Sequence, residues 1–282
     1  MTVSIAYLGP PGTYSEAAAI AYVDQLQQDT GEECLLCPYP SISQTLRAVA
    51  RSQAQRAVVP VENSLEGSVP MTLDAIWQLD SLQIQRALVL PISHALISPV
   101  QELSAIKTVY SHPQALAQCQ GWLEQFLPTV QLIPTNSTTE AVQQLEGDRF
   151  AAAISSQRAA ELYDLPIIAF PINDRPDNCT RFWVVSLQPS PGGAYTSLGF
   201  SVPANLPGAL SQPLQVFASR GINLSRIESR PTKRSLGEYL FFLDLECDSR
   251  KSSVESAFQE LRSHTETLKI FGSYDFVAIK SD

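Results

Sequence analysis

The sequence predicts an α/β protein with two domains, a larger one built on a mostly parallel sheet and a smaller α+β one. In residues 1–187, apolar runs of strand length alternate with amphipathic runs of helix length, which is the pattern of a layered α/β fold. Residues 188–194 are rich in Pro, Gly and Ser and indicate a linker. Residues 195–282 then follow the order of the ferredoxin-like βαββαβ arrangement. A chain of 282 residues with 44% hydrophobic content has room for both cores.

The first domain is predicted to contain a series of strands with helices between most of them. The predicted strands are residues 3–8, 34–37, 57–61, 82–90, 108–110, 130–133, 150–154, 167–169 and 182–187. Apolar stripes at helical spacing predict amphipathic helices over residues 15–26, 43–50 and 113–126. We expect their apolar faces to form the core.

The second domain is predicted to be a small antiparallel sheet with helices on one side. Its predicted strands are 195–202, 223–229, 238–246 and 267–276, and its predicted helices are 208–219 and 253–263. The run Leu240-Phe241-Phe242-Leu243 is apolar without alternation, so this strand is expected to be central and covered on both faces. The other side of the sheet and its edges are expected to be open, which favours dimerisation.

Composition and charge argue against several classes of function. No apolar run reaches the roughly 18 residues of a membrane span, and the N-terminus enters a strand without a basic region or cleavage site, which predicts a cytoplasmic protein. The net charge of −9, without a basic cluster, argues against nucleic-acid binding. The five cysteines and three histidines are scattered, so neither a disulfide framework nor a zinc site is predicted. We interpret the one close pair, Cys34 and Cys37, as two thiols of an ordinary strand.

Three predicted helices open with a capping-box pattern, at Thr13-x-x-Glu16, Ser111-x-x-Gln114 and Ser137-x-x-Glu140. Each follows a strand directly or nearly so, at the edge where open α/β sheets bind ligands. A single pattern of this kind needs no role beyond capping the first turn of a helix. Three at one edge favour a cradle for a small anion, because free amides at helix N-termini attract negative charge even on an acidic protein.

A Gly- and Pro-rich turn joins the first strand to the first helix. Gly9 and Gly12 allow its backbone to present free amides to a ligand. The turn lacks the third glycine of a dinucleotide fingerprint and the Lys-Ser/Thr of a P-loop, so nucleotide cofactors are not predicted. No G-x-S-x-G elbow is present, which leaves a serine hydrolase with little support.

Two further polar stretches border predicted strands. Glu62, Asn63 and Ser64 follow the strand at 57–61, and they either bind a polyhydroxy or carboxylate ligand or form a simple loop. The run Asn178-Cys179-Thr180-Arg181-Phe182 places an amide, a hydroxyl, a guanidinium and a ring at the mouth of a buried strand, where polar groups are held stiffly. An ordinary strand entry with a surface arginine is the alternative. His112 is a ligand contact or simply the residue that starts a helix.

Taken together and in order, these motifs closely resemble the prephenate dehydratase family over nearly the whole chain. The motifs are Tyr7-Leu8-Gly9-Pro10, Gly12-Thr13-Tyr14-Ser15-Glu16, Val61-Glu62-Asn63-Ser64, Gly67, Ser111-His112-Pro113-Gln114-Ala115-Leu116, Ser137-Thr138 and Asn178-x-Thr180-Arg181-Phe182. Pro207-Gly208-Ala209-Leu210, Ile222-Asn223-Leu224 and Glu228-Ser229-Arg230-Pro231 resemble the ACT regulatory domain that follows in that family. Two departures stand out: Thr139 replaces a more usual alanine, and Pro213 lies in the first regulatory helix.

The resemblance implies a two-lobed catalytic domain like that of type II periplasmic binding proteins, and a hydro-lyase that converts prephenate to phenylpyruvate without a cofactor or metal. It assigns Thr180 to the leaving hydroxyl, Arg181 either to a carboxylate or to locking the site loop, and Phe182 to the ring pocket. The remaining residues expected to bind substrate are Gly12, Thr13, Glu62, Asn63, Ser64, Ser111, His112, Gln114, Ser137, Thr138 and Asn178.

In the second domain the resemblance implies a site for the effector L-phenylalanine, normally between two copies of the domain in a homodimer or homotetramer. Its expected residues are Gly208, Ala209, Leu210, Asn223, Leu224, Glu228, Ser229 and Arg230. The alternative is that this domain only dimerises. For the whole protein the rival functions are an arogenate dehydratase and a non-catalytic amino-acid sensor.

Overall fold

The computed structural model describes residues 2–279, which form two α/β lobes followed by a C-terminal α+β domain. The chain begins with β1 (Val3–Leu8), α1 (Tyr14–Thr30), β2 (Cys34–Tyr39), α2 (Ile42–Ala50), β3 (Arg56–Asn63), β4 (Gly67–Ser68), α3 (Pro70–Trp77) and β5 (Gln83–Pro91). It continues with β6 (Ala95–Ile97), β7 (Thr108–Ser111), α4 (Pro113–Gln118), α5 (Gln120–Phe126), β8 (Gln131–Pro134), α6 (Thr138–Gln143), β9 (Ala151–Ser155), α7 (Gln157–Leu162) and β10 (Ile167–Ala169). It ends with β11 (Cys179–Ser186), β12 (Tyr195–Ser201), α8 (Ser211–Ala218), β13 (Leu224–Pro231), β14 (Tyr239–Leu245), α9 (Ser252–Ser263), β15 (Thr267–Tyr274) and β16 (Phe276–Ala278). Among residues 2–279, no helix is long and apolar enough to cross a membrane.

The two lobes share one sheet order. In the first lobe the order is β2-β1-β3-β11-β5, and in the second it is β8-β7-β9-β6-β10. In each sheet the first three strands of this order are parallel to one another, and the fourth is antiparallel to them. The fourth strand is β11 in the first lobe and β6 in the second, and in both cases the chain reaches it after crossing from the other lobe. This arrangement confirms the expected periplasmic-binding-protein-like fold. The sheets are mixed because the crossing strand runs opposite to its neighbours.

Several predicted elements have different limits in the structure. The strand predicted to begin at Phe182 begins at Cys179, because Thr180 and Arg181 already pair with strands on both sides. The helix predicted over residues 113–126 is divided into α4 and α5 at Cys119. The break is stabilised by Asp174, whose carboxylate accepts hydrogen bonds from the backbone N–H groups of residues 121 and 122 at the start of α5.

The C-terminal domain has the predicted order of strands and helices. Its sheet order is β13-β14-β12-β15, and β14 lies inside the sheet as expected. On one face Leu243 and Leu245 pack with α8 and α9. The other face, expected to be open, is covered by the first lobe: Phe242 and Phe271 join Trp183 in one apolar cluster. The expectation of an open face is therefore wrong, because the first lobe offers a matching apolar surface.

The end of the described chain returns to the first lobe. The strand predicted over residues 267–276 is divided at Asp275, and β16 then pairs in parallel with β5. The ring of Phe276 stacks on Tyr195 with a centroid distance of 4.1 Å. Pro213 is the third residue of α8, within the first turn, where a missing backbone N–H is tolerated.

The Phe242→Ala substitution tests the interface between the first lobe and the C-terminal domain. Phe242 is 1% exposed, so we expect its truncation to lower the free energy of unfolding by about 3–5 kcal/mol, the usual cost for a buried phenylalanine. Urea denaturation measures the change. Leu236→Ala, at a fully exposed side chain of the same domain, is the control, and equal effects of the two substitutions would contradict the observed packing.

Candidate active site

The ends of β3 and β11 meet beside the second lobe. β11 runs antiparallel to β3, and the register places Thr180 opposite Asn63 and Arg181 opposite Glu62. Thr180 and Asn63 are 117 positions apart along the chain. The structure therefore brings two of the polar stretches singled out in the sequence to one strand edge.

Asn63 organises this edge with both atoms of its amide. Its Oδ1 accepts hydrogen bonds from the N–H groups of Leu65 and Glu66, which forms the turn after β3. Its Nδ2 donates to Asn178 Oδ1 at 2.8 Å and to Thr180 Oγ1 at 3.0 Å. The Thr180 oxygen thus acts as an acceptor, and among residues 2–279 no acceptor is found for the Thr180 hydroxyl proton.

A chain of hydrogen bonds continues from Asn178 into the second lobe. Asn178 Nδ2 donates to Gln118 Oε1 at 3.0 Å, and His94 Nε2 lies 2.9 Å from the same oxygen. Because an amide oxygen only accepts, Nε2 carries the proton and the other ring nitrogen faces the Tyr14 hydroxyl at 2.8 Å. Asn178 and His94 lie on the two segments that cross between the lobes. The chain therefore connects both crossings to Thr180.

Gln118 is a polar residue of this site that the sequence analysis missed. Its side chain is 8% exposed, and its Nε2 has no hydrogen-bond partner among the described residues. A buried donor of this kind is expected to be satisfied by water or by a bound ligand. In the sequence, Gln118 could have been identified by its position three residues after Ala115, because this spacing places both residues on the buried side of the helix.

Arg181 points away from Thr180, toward the C-terminal domain. Its Nη2 lies 2.7 Å from Asp244 Oδ2 and 2.8 Å from Glu62 Oε2, and its guanidinium lies over the ring of Phe276. Burial alone would lower the pKa of Arg181, but Asp244, Tyr274 and Glu62 together raise it. Of the two roles left open by the sequence, this geometry matches a residue that locks the site, because both carboxylates it binds belong to the protein.

Phe182 is a core residue directly beneath this edge. Its side chain is 1% exposed and packs in a cluster with Tyr7, Leu90 and Ile92. Any effect of Phe182 on a ring pocket would therefore come from below the strand edge.

The glycine-rich turn forms a contact between the lobes. Gly12 has φ +85, a backbone conformation that favours glycine, and a Cβ there would lie only 3.1 Å from Thr139 Cγ2, which is a tight contact. The backbone carbonyl of Gly12 accepts a hydrogen bond from Ser156 Oγ at 2.8 Å. Thr139, the departure from the family pattern, is fully buried, and its hydroxyl has no partner among the described residues.

Glu16, in the first turn of α1, stabilises the glycine-rich turn through hydrogen bonds. Its carboxylate accepts hydrogen bonds from the Gly12 N–H at 2.7 Å and from the Tyr7 hydroxyl at 3.3 Å. Burial and the Glu16 charge both raise the pKa of Tyr7, so its hydroxyl stays protonated and donates. Arg158 of the second lobe approaches Glu16 to 3.6 Å, and Thr13 Oγ1 accepts the Glu16 N–H as predicted for a helix cap.

The residues predicted in the second lobe occupy helix starts or the interior. Ser137 Oγ caps α6, and His112 Nδ1 accepts from the Gln114 backbone N–H at the start of α4. The capping box predicted at Ser111 is wrong, because α4 begins one residue later and His112 is its N-cap. Ser111 is fully buried, and its hydroxyl donates to the Ile154 carbonyl at 2.7 Å. Thr138 is the first residue of α6 and is half-buried. In the first lobe Ser64 Oγ accepts the N–H of the residue before Thr180 at 3.0 Å, so it fixes the start of β11.

Comparisons with known proteins agree with this architecture. A family model described as prephenate dehydratase matches residues 5–190. This chain belongs to the prephenate dehydratase family. A model of the ACT domain matches residues 196–263. Both parts of the resemblance seen in the sequence are thus confirmed.

Similar proteins with the same family name match this chain along nearly its full length. A prephenate dehydratase of Lactococcus lactis subsp. cremoris is 36% identical over 285 residues, which covers 98% of this chain and 99% of that protein. A bifunctional chorismate mutase/prephenate dehydratase of Aquifex aeolicus is 40% identical over 275 residues, which covers 96% of this chain and 73% of that protein.

Solved structures of similar proteins share the whole fold. A prephenate dehydratase from Arthrobacter aurescens in complex with L-Phe superposes with a TM-score of 0.86 at 37% identity, covering 97% of this chain and 90% of that one. A structure described as a novel type of quorum-quenching acylase superposes with a TM-score of 0.81 at 28% identity, covering 98% of each chain. The fold is therefore shared by proteins that are described by different activities.

The ACT-domain residues expected to bind an effector fall into two groups. Gly208, Asn223 and Ser229 are exposed, and Ala209, Leu210 and Leu224 are half-buried. Glu228 and Arg230 alternate with Ser229 and face the first lobe. Glu228 accepts a hydrogen bond from Ser68 Oγ at 3.1 Å. Arg230 binds both carboxylate oxygens of Asp74 on α3, at 3.1 and 3.0 Å. These two side chains therefore already join the ACT domain to the first lobe.

A separate cavity of about 300 Å³ lies in the ACT domain, between the loop after β12 and the β13–β14 hairpin. Asn205, Arg234, Glu238 and Glu266 line it. None of the expected effector residues is among its lining residues.

Buried His94 is expected to make stability depend on pH. Burial lowers the pKa of His94, and its bond to Gln118 offsets this only in part. The folded protein thus binds the proton more weakly than the unfolded chain, so His94 contributes stability above about pH 6.5, and that contribution is lost as the pH falls through the folded-state pKa.

The test is urea denaturation of the wild type and of His94→Gln at about pH 7 and about pH 5. The stability difference between the two proteins should shrink at the lower pH. Leu236→Ala, at a fully exposed side chain that does not titrate, is the control and should keep a constant stability difference from the wild type. A constant difference for His94→Gln as well would contradict the prediction.

Proposed function

We propose that this protein converts prephenate to phenylpyruvate, in the biosynthesis of L-phenylalanine. In this reaction the bond from the ring to one carboxylate breaks, its electron pair enters the ring, and carbon dioxide leaves. The hydroxyl at the opposite position of the ring leaves with the pair of its C–O bond and takes up one proton, supplied in the end by the solvent, to form water. Because the product ring is aromatic, the reaction is strongly downhill, and the protein has to hold a dianion and help the hydroxyl depart.

The observation that carries this proposal is the environment of the Thr180 hydroxyl. Asn63 donates to its oxygen, which polarises the O–H bond, while the proton itself is left without a protein acceptor among the described residues. Such a hydroxyl is ready to donate a hydrogen bond to the leaving oxygen of the substrate. Because threonine is a very weak acid, we propose that Thr180 positions and polarises the leaving group rather than transferring its proton before the transition state.

The remaining residues are proposed to bind the two carboxylates and the ring. Gln118 Nε2, buried without a partner among the described residues, is a donor for a substrate oxygen. The backbone amides of the Gly12 turn, Thr13, His112 and Gln114 at the start of α4, and Ser137 and Thr138 at the start of α6 are proposed to form the wall around the anion. Asn63, Ser64 and Asn178 hold the reacting edge in place.

Regulation by L-phenylalanine is proposed for the C-terminal domain. Its support is the match to the ACT domain and the similar protein described in complex with L-Phe. The effector would have to bind the less active arrangement more tightly than the active one. We further propose a homodimer or homotetramer formed through the exposed edge of this domain, and a cytoplasmic location, which the five free cysteines favour.

A two-substrate assay tests the function. The purified protein should release phenylpyruvate from prephenate faster than phenylalanine from arogenate, and added L-phenylalanine should slow the reaction. Faster turnover of arogenate would establish the rival dehydratase. Ligand binding without product would establish the sensor, and acylase activity without phenylpyruvate would favour the activity by which the similar quorum-quenching protein is described.

Thr180→Ala and Thr180→Ser separate catalysis from binding. Removing the hydroxyl should lower kcat for prephenate by about 10²-fold or more, the usual effect of losing a positioned proton donor, and should change KM by less than about threefold. Serine keeps the hydroxyl and should retain most of the activity. A rise in KM with unchanged kcat in Thr180→Ala would make Thr180 a binding residue.

A further inference from the structure

The strand edge that carries Thr180 is held from behind by a carboxylate of the C-terminal domain. Asp244, on β14, is fully buried. Its Oδ2 lies 2.7 Å from Arg181 Nη2 and 2.7 Å from Arg226 Nε, and its Oδ1 accepts a hydrogen bond from Ser197 Oγ at 2.5 Å. The carboxylate therefore has a partner on each oxygen, and one of these partners is the residue next to Thr180.

Arg181 carries this contact to the neighbouring strand. Glu62 is the register partner of Arg181, and their charged groups lie 2.8 Å apart. Glu62 directly precedes Asn63, and Arg181 directly follows Thr180. Both strands are thus held one residue away from the Asn63–Thr180 hydrogen bond. We call the group that holds them, Asp244, Arg181 and Glu62, the clamp.

The charges make this clamp sensitive to the loss of any member. Burial by itself would raise the pKa of Asp244, but Arg226 and Arg181 together outweigh burial and lower it, so the carboxylate is ionised. Arg181 is 8% exposed and its Nε already lacks a partner among the described residues. Without the charge of Asp244, the guanidinium of Arg181 would have the partly exposed Glu62 as its remaining acidic partner. Because a buried charge that loses a partner is unstable, Arg181 would then shift its position or become hydrated.

We propose that Asp244 is a positioning residue for the reaction: from the C-terminal domain it holds Arg181 and Glu62, and through them the Asn63–Thr180 pair. This inference rests on the proposed function of Thr180. It gives the C-terminal domain a direct part in the geometry of the active site, in addition to binding an effector.

A second ion pair between the same domains offers a matched control. Asp74 on α3 binds Arg230 and Lys233 of the C-terminal domain, at 3.0 and 2.7 Å. It joins the two domains with the same chemistry, but it is carried by a helix and contacts neither β3 nor β11 through these bonds. A substitution there weakens docking without touching the clamp.

The experiment compares Asp244→Asn with Asp74→Asn in the full chain, with prephenate as substrate and folding checked by circular dichroism. Asp244→Asn should lower kcat about tenfold, since small misplacements of reacting groups cost that much or more, while KM changes by less than about twofold. Asp74→Asn should leave kcat within about twofold of the wild type. Equal kcat in Asp244→Asn and the wild type, or equal losses in the two variants, would overturn the proposal.

A double substitution separates positioning from general destabilisation. Because Asp244 acts through Arg181, Asp244→Asn should have no further effect on kcat in an Arg181→Met background. The same tenfold loss in both backgrounds would show that Asp244 acts by another route.

If Asp244→Asn does not fold, Asp244→Glu takes its place. It keeps the charge but displaces the carboxylate, so kcat should fall at least threefold, and an unchanged kcat would count against the proposal. A wild type that leaves prephenate unchanged would instead refute the proposed function.

Discussion

The insertion of β11 between β3 and β5 is the constraint on which the site depends. This strand returns from the second lobe and runs antiparallel to both neighbours, so its first residues lie at the carboxyl end of β3. The same insertion sends alternate side chains to opposite faces of the sheet. Thr180 is thereby directed to the edge beside the second lobe, and Arg181 to the face covered by the C-terminal domain.

The polar groups on these two faces are stabilised in different ways. At the edge, neutral amides and a hydroxyl share hydrogen bonds from His94 to Thr180, so these groups bury no net charge, and the Nε2 donor of Gln118 has no partner within residues 2–279. On the opposite face, two carboxylates and two guanidiniums offset one another around Asp244. Ions buried in this way add little net stability, but removing one of them is costly, which suits a role in holding geometry.

Much of the architecture could be predicted from local patterns. The βαββαβ order, the central position of β14 and the capping residues Thr13 and Ser137 agree with the structure, because each depends on residues close together in the chain. Gln118 and His94 were missed because their partners lie far away in sequence. The C-terminal sheet was expected to be open on one face, and only the packing of Phe242 on the first lobe showed otherwise.

By itself, the sequence determined the family and the order of the elements and indicated the candidate residues of the site, because motifs and apolar periodicity depend on residues close together in the chain. The tertiary structure alone decided the partners of those residues. In one strand, adjacent side chains point to opposite sides, so neighbours as close as Thr180 and Arg181 enter different environments. What each one contacts is set by the strands and the domain that pack against it.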